Sequence, residues 1–180
     1  MTVRVIDALL HDAREARFIR LIDAHGPAIG RLAVGYERDL MRRQDLVQDI
    51  WLALWQALPS FRGECSERTF VFRVAHNRAV SHIQHWRRRT VDPLPDDAPI
   101  ADGGVDPESA ASQRERQQRL HVAVQKLPLA FQQVVVLMLE GLSHSEIAEV
   151  LGLTDNNVAV RLTRARVALA RLLEVAGAIR

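Results

Sequence analysis

Asn156, Asn157, Arg161, Thr163, Arg164 and Arg166 fall in one short stretch near the C-terminus. Arg and Asn make bidentate hydrogen bonds to base edges, and Arg also neutralises phosphate. That combination suits the reading of duplex DNA. A second basic group is spread over 62–89, where Arg62, Arg68, Arg73, Arg78, Arg87, Arg88 and Arg89 are set against Glu64 and Glu67, a net +5. Such a segment suits a phosphate backbone, held in a salt-dependent way without sequence information. The Arg87 to Arg89 run also complements the negative end of a helix dipole. No nucleophile, base and carboxylate set converges on one predicted pocket, so no catalytic activity is expected. His76, His82, His85 and Cys65 have no strong metal-ligand spacing. Neither a metal nor any other cofactor is expected, and Cys65 reads as an ordinary small residue.

The elements that must position these residues are helices. Apolar residues recur at spacings of three and four, and no alternating β-type pattern occurs. Val47, Ile50, Trp51, Leu54, Trp55 and Leu58 form one stripe that Pro59 closes, with Asp45, Gln48, Asp49 and Gln56 on the other faces. Phe70, Val74, Ser81 and Trp86 mark the next helix, with a basic exposed side. Further on, Ser143 and Glu146 fit a capping box, and Ile147, Ala148 and Leu151 give a short helix its apolar face. Gly152 then turns the chain. Thr154 or Asp155 caps a second helix with the stripe Val158, Leu162, Ala165 and Leu169. A short helix, a glycine turn and a helix rich in Arg and Asn make a helix-turn-helix.

Composition sets the frame. The chain has 180 residues, 48% of them hydrophobic, enough for one medium or two small cores. Between 90 and 112 it carries six acidic groups and no basic one, with Pro93, Pro95, Pro99, Pro107, Gly103 and Gly104. Such a stretch reads as an acidic flexible linker. The expected fold is therefore all-α, with two small helical domains at 1–89 and 113–180 joined by the linker 90–112. An apolar run as long as any in the chain, Val134 to Leu139, is far short of the roughly 20 residues of a membrane helix, so no membrane insertion is expected. One cysteine forms no internal disulfide, and Arg4, Asp7, His11 and Asp12 stand where a signal peptide would be apolar. Both features favour the cytoplasm.

Set side by side, the two halves resemble the extracytoplasmic-function (ECF) group of sigma factors in the sigma-70 family, over about residues 14 to 173. DLVQDIWLALW (Asp45 to Trp55), FRG (Phe61 to Gly63) and RTFVFRVAHNRAVSHI (Arg68 to Ile83) look like the core-binding helix, the minus-ten loop and the promoter-melting helix. KLP (Lys126 to Pro128), GLSHSEIAEVLGL (Gly141 to Leu153) and NNVAVRLTRAR (Asn156 to Arg166) look like the minus-35 reader. The resemblance implies a bacterial transcription initiation factor that binds core RNA polymerase (β′ and β subunits) and promoter DNA, assists melting, and is held by an anti-sigma factor. It assigns Asp45, Gln48 and Asp49, beside a buried Trp51 and Trp55, to a β′ coiled coil. Phe61, Arg62, Ser66, Arg73, Asn77, Arg78, Arg87 and Arg88 go to the minus-ten strand, where a flipped base is held and basic groups track the single strand. Asn156, Asn157, Ala159, Val160, Arg161, Thr163, Arg164 and Arg166 go to the minus-35 element. Ala159 and Val160 depart from many relatives, which carry Lys or Arg followed by Ser. Small apolar side chains contact thymine methyls but donate nothing to guanine. Two other readings compete: a sigma mimic that occupies an anti-sigma factor, and a stand-alone helix-turn-helix regulator.

Overall fold

Asp39 shows how local chemistry starts an element here: its carboxylate accepts from the Arg42 amide at 2.9 Å and caps the helix that follows. The computed structural model of the protein describes residues 2–89 and 107–177. These form α1 (Thr2–Tyr36), α2 (Leu40–Ala57), a 3₁₀ turn (Leu58–Ser60), α3 (Glu67–Arg89), α4 (Pro107–Lys126), α5 (Leu129–Leu139), α6 (His144–Leu151) and α7 (Asp155–Gly177). No strand occurs among the described residues, and the fold is all-α as expected. Of the acidic stretch 90–112, residues 90–106 lie outside those described. Residues 107–112 belong to α4, so a helix begins inside the segment that composition gives to a linker.

In the first half α1, α2 and α3 pack on one another; in the second, α7 is held by α4, α5 and α6. Ile29, Leu32, Leu46, Ile50, Leu54 and Phe72 are almost fully buried in the first, and Val124, Leu137, Leu142 and Ile147 in the second. Burying each such side chain contributes roughly 1.5–3 kcal/mol before conformational entropy is counted. The apolar cluster runs on from one half into the other.

Two sequence expectations change. Trp51 and Trp55 are half-buried, not buried, because they lie at the edge of the α2 stripe against Phe18, with the Arg14 guanidinium 3.9 Å above Trp55. In α3 the buried face is Val71, Phe72, Ala75 and Ala79; Phe70 and Val74 are only partly covered. Thr69 and His76 complete that face, and their polarity disguises it in the sequence.

Candidate nucleic-acid and polymerase interface

The C-terminal helix-turn-helix is built from local chemistry. Ser143 Oγ accepts from the Glu146 amide at 3.2 Å, and the Ser143 amide donates to Glu146 Oε2 at 2.8 Å, closing the capping box of α6. These bonds from Ser143, with Arg68 nearby, hold the Glu146 carboxyl below its usual range. Gly152 ends α6 at φ 64°, a left-handed position where a side chain would be strained. Of the two candidate caps for α7, the structure selects Thr154, whose hydroxyl accepts from the Asn157 amide at 3.3 Å.

Val158, Leu162 and Ala165 turn inward. The opposite stripe of α7, spaced at three and four residues, carries Asn156, Val160, Thr163, Arg164 and Val167, all exposed, with Asn157 beside it. Arg166 is exposed on a flank, while Ala159 and Arg161 are half-buried. Thr163 donates its hydroxyl proton to the Ala159 carbonyl at 3.0 Å, which leaves its methyl group and lone pairs outward. Val160 and Val167, 41% and 52% exposed, make the middle of the stripe apolar, and sequence reasoning missed Val167.

On α2, Asp45 and Gln48 are exposed and share a stripe with Met41 and Leu52, which are 67% and 53% exposed. Exposed large apolar side chains beside a carboxylate and an amide suit a protein partner. Asp49 differs, because its Oδ2 accepts from Arg78 of α3 at 3.0 Å. A predicted polymerase contact and a predicted DNA contact are thus paired with each other.

The loop before α3 is ordered by aromatic and capping contacts. Phe61 stacks on Phe70 with ring centroids 4.5 Å apart, and the Arg17 guanidinium lies 4.9 Å over Phe61. Ser66 is the N-cap of α3, its hydroxyl accepting from the Thr69 amide at 3.0 Å. Arg62 and Asn77 are exposed. Arg73 reaches across to α6, donating to the Glu149 carbonyl at 3.3 Å and to its carboxylate at 3.4 Å. Arg87 and Arg88 lie on the last turn of α3, with side chains outside the described residues. The histidines are engaged elsewhere: His76 Nδ1 is 3.0 Å from the Tyr36 hydroxyl, and His82 Nε2 is 3.2 Å from Glu37 Oε2.

This fold and these surfaces define a class: an all-α protein with a helix-turn-helix on one half and a basic helix behind an aromatic loop on the other. Residues 21–90 match the family described as Sigma-70 region 2, and residues 117–169 match Sigma-70, region 4. The ECF RNA polymerase sigma factor SigM of Mycobacterium tuberculosis is 30% identical over 158 residues, covering 87% of this chain and 76% of that protein. The solved structure of CnrH in complex with the cytosolic domain of CnrY is 26% identical, covers 96% of this chain and 97% of that one, and superposes with a TM-score of 0.68. The sigma factor RpoE in complex with the anti-sigma factor NepR from Bartonella quintana shares the fold at 20% identity, with a TM-score of 0.72 over 88% of this chain and 98% of that one. The chain belongs to the sigma-70 family of RNA polymerase sigma factors, in its ECF group, and is a transcription initiation factor. Members of this family are not enzymes. Among the described residues no helix is long and apolar enough to cross a membrane.

Proposed function

We propose that α7 reads the minus-35 element, that the 61–66 loop and α3 hold the melted minus-ten strand, and that α2 docks core RNA polymerase through Asp45, Gln48 and the flanking Met41 and Leu52. The working units are 1–89 and 113–180, joined by 90–112. The observation that carries this reading is the exposed stripe of α7, in which Asn156, Thr163 and Arg164 stand beside Val160 and Val167, presented by a capped α6 and a left-handed glycine turn. Asn157 and Arg164 supply the bidentate contacts, Arg donating twice and Asn donating and accepting, and Val160 with the Thr163 methyl supplies contacts for thymine. Structural neighbours are solved with a cytosolic partner domain or an anti-sigma factor. By that likeness this chain is held by an anti-sigma factor, and it works in the cytoplasm without catalytic activity of its own.

Sigma-free core polymerase plus the purified protein is expected to start transcription on fragmented host DNA at sites that share two upstream elements. Sequencing of the transcript ends reads this directly. Absence of starts from a folded protein that still binds an anti-sigma factor would establish the sigma mimic instead. Within the reader, Arg164→Ala is expected to weaken promoter use by about 1–3 kcal/mol, with relaxed preference at one base position. A loss uniform across all sequences would make Arg164 a phosphate contact.

A further inference from the structure

We propose that the cavity between α1, α2, α4 and α5 binds a small amphipathic monocarboxylate, with its hydrocarbon chain among aliphatic side chains and its head group on Arg43. None of the residues that line this cavity is assigned above to DNA or to polymerase, so the site goes beyond the promoter-reading assignment and does not depend on it.

The cavity measures about 500 Å³, within the ~300–1,000 Å³ of typical small-molecule sites, whereas close-packed interiors leave few spaces larger than a water molecule. Its body is aliphatic. Val34 of α1, Leu120 and Val124 of α4, and Val136 and Leu139 of α5 line it, with no Phe, Tyr or Trp among the lining residues. Leu139 is 51% exposed, apolar surface that a bound chain would cover. The walls are fixed from behind. A Cβ added to Gly35 would stand 2.6 Å from Val136 Cγ2, so only glycine lets α5 approach α1 this closely. Gln125 of α4 and Gln132 of α5 donate to the Val34 and Gly35 carbonyls at 2.5 Å and 2.7 Å, tying both helices to the last turn of α1.

At the polar end one positive charge is left over. Arg43 is half-buried, and its guanidinium makes no hydrogen bond or ion pair with a described residue. The other charges on the lining cancel: Arg31 donates to the Glu140 carboxylate at 2.7 Å, and that carboxylate is almost fully buried. Burial and then the Arg43 charge lower the pKa of His121 below its ordinary value, with Glu140 opposing them, so the imidazole is neutral at pH 7 and serves as a hydrogen-bond partner. A single carboxylate matches this balance, and its two oxygens suit the paired N–H donors of a guanidinium. A phosphate monoester, with a charge of about −2 at pH 7, would bring a second negative charge towards Glu140 with no cation to meet it. The aliphatic walls specify the rest of the ligand, because each methylene they bury tightens binding by about four-fold.

Calorimetric titration of the full-length protein with decanoate is expected to show a single site with a Kd of about 10–100 μM. Octanoate, two methylenes shorter, should bind roughly ten-fold more weakly. Decanol keeps the chain and lacks the charge; it should bind about ten-fold more weakly than decanoate, and Arg43→Gln should erase that difference. Val34→Phe, which fills the cavity from α1, should abolish binding of both, while the helical signal of each variant matches the wild type. Methyl NMR locates the site: Leu120, Val136 and Leu139 resonances should shift on titration, and those of Ile29, Leu46 and Ile50 should not. Equal affinity of the wild type for decanol and decanoate, or undiminished decanoate binding by Arg43→Gln, would overturn the head-group assignment. Undiminished binding by Val34→Phe would overturn the cavity as the site, and tighter binding of decyl phosphate would overturn the carboxylate. If decanoate leaves the cavity methyls unmoved and a short aliphatic peptide with one glutamate shifts them, the occupant is a protein partner and the small-molecule assignment fails. Initiation with core polymerase, measured separately, reports on the proposed function alone.

Discussion

Asp45→Arg combined with Gln48→Ala is expected to lower affinity for core RNA polymerase by about 100-fold or more, while the helical signal and the urea midpoint stay at wild-type values. Both side chains are exposed on α2 and make no hydrogen bond with another described residue, so folding does not depend on them. Exposed substitutions of this kind usually change stability by no more than about 0.5 kcal/mol. Binding responds differently. A charge reversal inside a complementary interface replaces attraction with like-charge contact, which costs several kcal/mol, and every 1.4 kcal/mol or so is ten-fold in affinity. Glu15→Arg makes the same change of charge on an exposed residue of α1 and should leave affinity within about two-fold. Equal losses from both variants would point to a general charge effect and remove α2 as the docking surface. Asp49 is the wrong choice for this experiment: its carboxylate holds Arg78, so its replacement would disturb α2 and the proposed strand-binding helix together.

How far the sequence discloses this molecule depends on how local each determinant is. The helix-turn-helix was legible in its frame, with the cap of α7 left between Thr154 and Asp155 and Val167 missed, because Ser143 with Glu146, Gly152 and Thr154 act within a turn or two of themselves and leave recognisable spacing. The α2 stripe was legible in outline, although Leu46 completes its buried face and the tryptophans sit at its edge. In α3 the periodicity misled, since apolar residues occupy both flanks and the true core face includes Thr69 and His76. The long α1 was hidden. No element is assigned to this stretch from the sequence; Pro27, which disfavours a helix interior, lies on an exposed face, and Gly35 allows close approach to Val136. None of the contacts between the two halves was legible. Gly35 and Gln132, or Arg73 and Glu149, are far apart in the chain, and nothing in one sequence says which distant carboxylate an arginine meets.

The burial of His76 makes the stability of the first half depend on pH. Its ring is 5% exposed, and burial lowers its pKa from about 6.5 to about 4. Burial also raises the Tyr36 hydroxyl far above its ordinary range. Tyr36 therefore keeps its proton, and its hydroxyl shares a 3.0 Å hydrogen bond with Nδ1 of the neutral His76 ring. Protonation of the ring would bury a charge. In the unfolded chain the imidazole takes a proton near pH 6.5, whereas in the folded protein it resists until about 4. Stability is thus fully present above pH 6.5 and falls as pH drops towards 4, by about 3 kcal/mol in all. His25 and His121, lowered by burial and by Arg68 and Arg43 respectively, act in the same sense. Urea unfolding at pH values between 7 and 4.5 should show this decline in the wild type. His76→Gln, which offers Tyr36 an acceptor that does not titrate, should decline less by about 2–3 kcal/mol over the same interval. Parallel declines in the two proteins would mean that His76 is not the group that titrates.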